Sequence, residues 1–276
     1  MKKFKKYFFM FIFIFSFSFI FFYHYNISIN IPIFTKVIFN NYKHKYYVTD
    51  ILNITYKEKK KKKSYVKKEE KESRYLVYIY NTHDTEKYYD KTYNIDPTVS
   101  VNNYIVKDYL EEKGIHSLIK TESIKDMLNL YHYNYNGSYK CSRLLIENAY
   151  KNNPSLKYFI DIHRDSLGKN KTTVNINGED YASILFLLGL ENKNYNENLG
   201  FINKINDKLN EYYPGLSKGI LKKGGRGVNG VYNQDFSKYV ILIEIGGQEN
   251  TLNEVMNTSI AFSRAFYEVI KDEEHI

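Results

Sequence analysis

Residues 158–162, Tyr-Phe-Ile-Asp-Ile, break without a spacer into His163, Arg164, Asp165 and Ser166. The mostly apolar run predicts a buried strand, and the abrupt change to polar residues has the composition of a site. His163 is thereby expected at the carboxyl end of a strand. In open α/β sheets that end faces the crevice where ligands bind.

Two more runs end the same way. Residues 75–80 lead into Asn81-Thr82-His83-Asp84-Thr85-Glu86, and residues 240–243 lead into Glu244-Ile245-Gly246-Gly247. Three strand ends thus offer two histidines and two carboxylates to one crevice. The other five histidines stand away from strongly predicted strands.

From residue 75 onward, strand-like and helix-like stretches alternate. Helices are expected over 101–113, 138–152, 198–212 and 251–271, and further strands over 115–119, 172–177, 182–189 and 239–245. Asn177-Gly178 signals a hairpin. The glycine-rich stretch 223–230 lacks both a P-loop spacing and the strand-to-helix setting of a dinucleotide site. The expected fold is α/β: a three-layer sandwich with a largely parallel central sheet flanked by helices.

The N-terminal quarter is different. Lys2, Lys3, Lys5 and Lys6 precede an apolar run over 7–23, short but sufficient for a transmembrane anchor with a cytoplasmic N-terminus. A cleavable signal peptide is the competing reading, but no small-x-small pattern follows the run. Residues 24–74, which include a lysine-rich stretch from Lys57, read as an extracytoplasmic basic linker.

The net charge of +9 is confined to this quarter, because residues 1–74 carry 17 Lys and Arg against 5 Asp and Glu, leaving 23 against 26 in the remainder. No nucleic-acid partner is therefore expected of the folded part. The single cysteine, Cys141, excludes an intrachain disulfide and a cysteine-rich zinc cluster.

Zinc in hydrolases typically takes three protein ligands from His, Asp and Glu. His83, Glu86 and His163 supply that set if the first and central strands are neighbours, and the His-x-x-Glu spacing lets two of them converge from one turn. Hydrogen-bonded structural histidines are the competing reading. Glu244, a carboxylate at the margin of a core, has the position of a general base. Asp161, Arg164 and Asp165 are candidates to orient ligands or hold a developing oxyanion, or else to form a surface ion-pair cluster.

The ordered motifs Asn81-Thr82-His83-Asp84-Thr85-Glu86, Ile160-Asp161-Ile162-His163-Arg164-Asp165-Ser166, the segment 213–220, the segment 230–235, and Leu242-Ile243-Glu244-Ile245-Gly246-Gly247 with Asn250 resemble the stage II sporulation protein P family. That family is related to the zinc-dependent N-acetylmuramoyl-L-alanine amidases. The resemblance implies an amidase-like catalytic domain over 75–276. It also implies a membrane-anchored peptidoglycan hydrolase acting in engulfment, facing the septal space from the mother-cell membrane, with possible endopeptidase activity.

The implied cofactor is Zn2+ on His83 and His163, with Glu86 matching the sporulation subgroup's motif as the third ligand and Glu244 as the catalytic carboxylate. Arg164 as a catalytic residue and Asp161 and Asp165 as supports of the ligands rest on their positions alone. Glu86 departs from the wider amidase spacing, which leaves Asp84 and Asp90 as fallback ligands. Implied partners are peptidoglycan and stage II sporulation proteins D and M. A zinc peptidase confined to stem peptides and a non-catalytic scaffold are the alternatives.

Overall fold

The structure, a computed structural model, describes residues 74–90 and 97–275. The expected anchor, and the linker up to residue 73, lie outside the described residues. Among the described residues, no helix is long and apolar enough to cross a membrane.

The elements follow in the order β1 (Val77–Tyr80), α1 (Val101–Glu112), β2 (Ser117–Ile119), α2 (Ile124–Leu130), α3 (Ser138–Asn152), β3 (Tyr158–Asp165), α4 (Lys169–Thr172), β4 (Thr173–Ile176), β5 (Glu179–Ala182), β6 (Ile184–Gly189), α5 (Tyr195–Tyr212), β7 (Ser217–Lys223), β8 (Val240–Gly247) and α6 (Leu252–Glu274). Six strands form one sheet in the order β2-β1-β3-β8-β6-β7. Its first four strands are parallel, β6 is antiparallel to β8, and β7 is parallel to β6. The fold is mixed α/β with a mostly parallel sheet, as expected.

Alternate residues of β3 point to opposite faces, so Tyr158 and Phe159 report the two outer layers. Tyr158 meets Phe201 of α5 and Phe266 of α6. Phe159 packs instead with Tyr78, Tyr80, Val240 and Ile146 of α3. Helices therefore cover both faces, and β3 and β8, buried on each, carry near-continuous apolar runs.

The long helix α6 starts where Thr251 and Glu254 form a capping box. Before it, Gly246 has φ +61, and a Cβ there would stand 2.6 Å from Asn250 Oδ1. That oxygen accepts from the Gly247 N–H at 2.7 Å, closing the turn between Glu244 and the helix.

Several boundaries differ from the sequence expectation. β3 runs on to Asp165, so His163 stands inside the strand, because the parallel pairing with β8 continues through His163 opposite Glu244. Asn177 (φ 53) and Gly178 (φ 90) form the expected tight turn, but its strands β4 and β5 make a separate two-stranded sheet. α2 and β7 were not anticipated: α2 is short with only Ile124 buried, and β7 has no buried residue and no alternation of apolar and polar residues.

The C-terminal end of α6 is locked to the start of β3. Glu274 Oε1 accepts from Lys157 Nζ at 2.5 Å and from Tyr158 OH at 2.9 Å. Burial alone would raise the Glu274 carboxyl, but these donors hold it net below its ordinary value. A depressed carboxylate stabilises the fold above its unfolded pKa of about 4.3, and that stability is lost as pH falls through the folded value. We expect Glu274→Gln to cost about 1–2 kcal/mol in urea unfolding at pH 7. The difference from wild type should shrink as the pH is lowered to 3; an unchanged difference there would show that the charge is not its source.

Candidate active site

β1 and β3 end side by side because their polar tails are tied together. Asn81 donates to the Ile162 carbonyl at 2.6 Å and exchanges side-chain hydrogen bonds with Asn103 of α1. Asp161, fully buried, accepts from the Thr82 backbone N–H at 2.8 Å and from the Thr82 hydroxyl at 2.6 Å. The chain then turns, with the Glu86 N–H donating to the His83 carbonyl at 3.1 Å. One turn thus carries both His83 and Glu86 toward β3.

Parallel pairing sets His163 beside Glu244, one alternation beyond the Asp161–Leu242 pair and on the same face. His163 Nδ1 stands 3.7 Å from Glu86 Oε2. Its Nε2 lies 3.0 Å from Asp161 Oδ1 without the alignment of a hydrogen bond. The His83 and His163 rings meet edge to face at 5.2 Å. These residues line a cavity of about 510 Å³, with Tyr135, Tyr139, Tyr232, Leu187 and Lys223 among its other walls.

Burial, then the neighbouring His163, lowers the His83 pKa, which keeps its imidazole neutral at physiological pH. Burial alone would lower His163 too, but the Asp161, Glu86 and Glu244 carboxylates around it win and raise it well above the ordinary value. Glu244 is pushed up to about 7, mainly by burial, with His163 opposing. These are the perturbations expected where titratable groups share a desolvated cleft.

Among the described residues, no three His, Cys, Asp or Glu side chains converge tightly enough to form a ready-made metal cluster. The donor chemistry nonetheless fits a divalent cation. His83 Nδ1 and Glu244 Oε2 are buried polar atoms without a hydrogen-bond partner, while His163 Nε2 faces Asp161 and leaves its Nδ1 on the Glu86 side. Such orphans need an explanation in a folded protein, and an ion is one. Glu86 Oε2 meanwhile accepts from the Arg164 backbone N–H at 3.1 Å, which holds its carboxylate beside His163.

The remaining candidates have other places. Arg164 does not line the cavity: its guanidinium donates to the carbonyls of Lys87 and Asp165 at 2.9 and 3.2 Å, so its side chain braces the turn after β1. Asp165 accepts from the Leu167 N–H in the turn leaving β3. Asp84 pairs with Lys120 and accepts from the Ile124 N–H at the start of α2. Asp90 accepts from the Leu252 N–H at the start of α6. Both fallback aspartates are thus held at helix N-termini, where unsatisfied N–H groups attract them.

The aromatic wall was invisible in the sequence. Tyr135 stacks on His83 at 4.6 Å and 11°, and Tyr139 meets the same ring edge-on at 5.6 Å. Tyr232 and Asn233 have φ of 54 and 58, unusual for residues with a Cβ. Asn233 holds that conformation by donating to the Tyr139 carbonyl and the Ser142 hydroxyl. In a chain with 29 tyrosines, composition could not single these out.

A family model for stage II sporulation protein P matches residues 34–267. The chain belongs to this family. Stage II sporulation protein P of Bacillus subtilis (strain 168) is 36% identical over 210 residues, 73% of this chain and 52% of that one. The chain therefore spans about half the length of this curated relative. Among solved structures, the CwlD amidase from Clostridioides difficile, determined in complex with the GerS lipoprotein, aligns with a TM-score of 0.47 and 12% identity, covering 72% of this chain and 98% of that chain. Cwp6 from Clostridium difficile aligns with a TM-score of 0.43 and 14% identity, covering 72% and 29%. Both scores fall short of establishing a common fold.

In this family member, Asp161 couples the β1 end to His163. An amide there cannot accept both Thr82 donors through both of its terminal atoms, and it removes the negative charge beside His163. Asp161→Asn is expected to lower stability by about 2–3 kcal/mol in urea unfolding. A variant as stable as wild type would mean that the Thr82 contacts do not anchor the site.

Proposed function

We propose that the chain is a peptidoglycan hydrolase of sporulation, cutting the amide between N-acetylmuramic acid and the stem peptide. The observation that carries the reading is the pairing of His163 with Glu244 inside a cavity that also holds His83 and Glu86. Family membership supports the sporulation setting.

His83, Glu86 and His163 would hold Zn2+. When bound, zinc would polarise a water molecule and the scissile carbonyl. Glu244, aimed into the same cavity, takes the proton from the attacking water and returns it to the leaving amine. Asp161 keeps His163 oriented, and the Arg164 N–H keeps the Glu86 carboxylate at the site. Tyr135, Tyr139 and Tyr232 restrict water around the reacting groups.

In the same reading, residues 1–23 anchor the chain in the mother-cell membrane, 24–74 form the extracytoplasmic linker and 75–276 the catalytic domain, working in engulfment with stage II sporulation proteins D and M. Cleavage of peptide cross-links is a second activity the same residues would serve.

The test uses the full chain and purified peptidoglycan. Wild type is expected to bind about one zinc per chain and to release intact stem peptides. Glu244→Gln should lose turnover by about 10²–10⁴-fold while still binding zinc. Loss of zinc is expected from His163→Ala. Products cut only within the peptide would transfer the assignment to a peptidase, and metal-free wild type with full activity would overturn the zinc.

A further inference from the structure

The cavity is not confined to the ends of β1, β3 and β8. Antiparallel pairing puts Leu185 opposite Glu244 and Leu187 opposite Leu242, and the β6–β7 pair then sets Gly189 opposite Lys223. Side chains two apart share a face, so Glu244, Leu187 and Lys223 belong to the same face of the sheet. The cavity lining includes all three. It is therefore a groove running from the reacting groups across the reversed strands to Lys223, walled by Tyr139 and Tyr232 and by residues 227–229 of the glycine-rich loop.

Lys223 is the cation at the far end of this groove. It is half-buried and makes no ion pair among the described residues. Glu191, on the turn after β6, accepts from the Gly225 N–H at 2.7 Å and so serves the loop backbone. Glu244 feels the lysine charge from a distance without pairing with it.

From Glu244 to the Gly189–Lys223 level is about 13 Å along the strands and about 10 Å across them. Less the lysine stem, that is the span of about three extended residues. Between the two ends, Leu187, Tyr139 and Tyr232 give the groove an apolar lining. An apolar channel ending in one point charge suits a short peptide with a single carboxylate, and a polyphosphate would need several cations.

We propose that Lys223 binds a carboxylate of the substrate's peptide, about three residues from the bond that is cut, and so selects which peptides the groove accepts. This rests on the hydrolase reading of the site. The lysine is a specificity residue and takes no part in the proton transfers.

The test measures binding by calorimetry to the full chain carrying Glu244→Gln, which prevents turnover. The probes are an N-acetylmuramoyl tetrapeptide with free carboxylates and its methyl-esterified counterpart. With Lys223 present, the free acid should bind about tenfold tighter than the ester. Lys223→Met should erase that preference, and Lys223→Arg should keep most of it. Equal affinity for both probes, a preference that survives Lys223→Met, or no binding of either probe would overturn the proposal. Turnover of peptidoglycan by the Glu244 chain is followed in parallel. Turnover without a carboxylate preference removes the role of Lys223 and leaves the hydrolase. A Lys223-dependent preference without turnover removes the hydrolase and leaves Lys223 as a carboxylate site.

Discussion

The carboxylate of Asp161 is the constraint on which the site depends. It lies fully buried between two parallel strands, a costly place for a charge unless donors surround it. Thr82 supplies two, from its backbone and its hydroxyl, and His163 stands beside the same oxygen that the Thr82 backbone reaches. One side chain thereby fastens the end of β1 to β3 and sets the histidine that faces Glu244. His83 and Glu86 follow because the chain turns directly after Thr82.

The reversal of strand direction between β8 and β6 has the complementary effect. On one side of β8 the site face is covered by α3, with Ile146 packed on Tyr78, Tyr80 and Phe159. On the other side, β6 and β7 run the opposite way, and their connections leave from the opposite end of the sheet. Over Leu187, Tyr139 and Tyr232 form a small apolar cluster with Leu242, and the same two tyrosines and the glycine-rich loop wall the cavity beside it. The reversal thus leaves a cavity next to the residues that the parallel strands bring together.

Parts of this were legible in the residues. The three strand ends carrying His83, His163 and Glu244 were readable because each apolar run stops abruptly, and the structure brings all three with Glu86 to one cavity. Helix α3 was readable to its ends. Where Arg164 and the fallback aspartates Asp84 and Asp90 sit was not readable, because a charged residue near a site looks the same whether it faces the cavity or braces the backbone. The partners that decide, the carbonyls of Lys87 and Asp165 and the N–H groups opening α2 and α6, leave no mark in residue spacing.

By itself, the sequence determined the class of fold, the strands that form the middle of the sheet, and the residues able to do chemistry, since hydrophobic period and polar breaks are local properties. Only the tertiary structure decided the antiparallel step at β8–β6, the stacking of Tyr135 on His83, and the presence of Lys223 in the same groove as Glu244. Those depend on register and strand order. Such long-range pairings are set by the balance of the whole core, and no single stretch of residues encodes them.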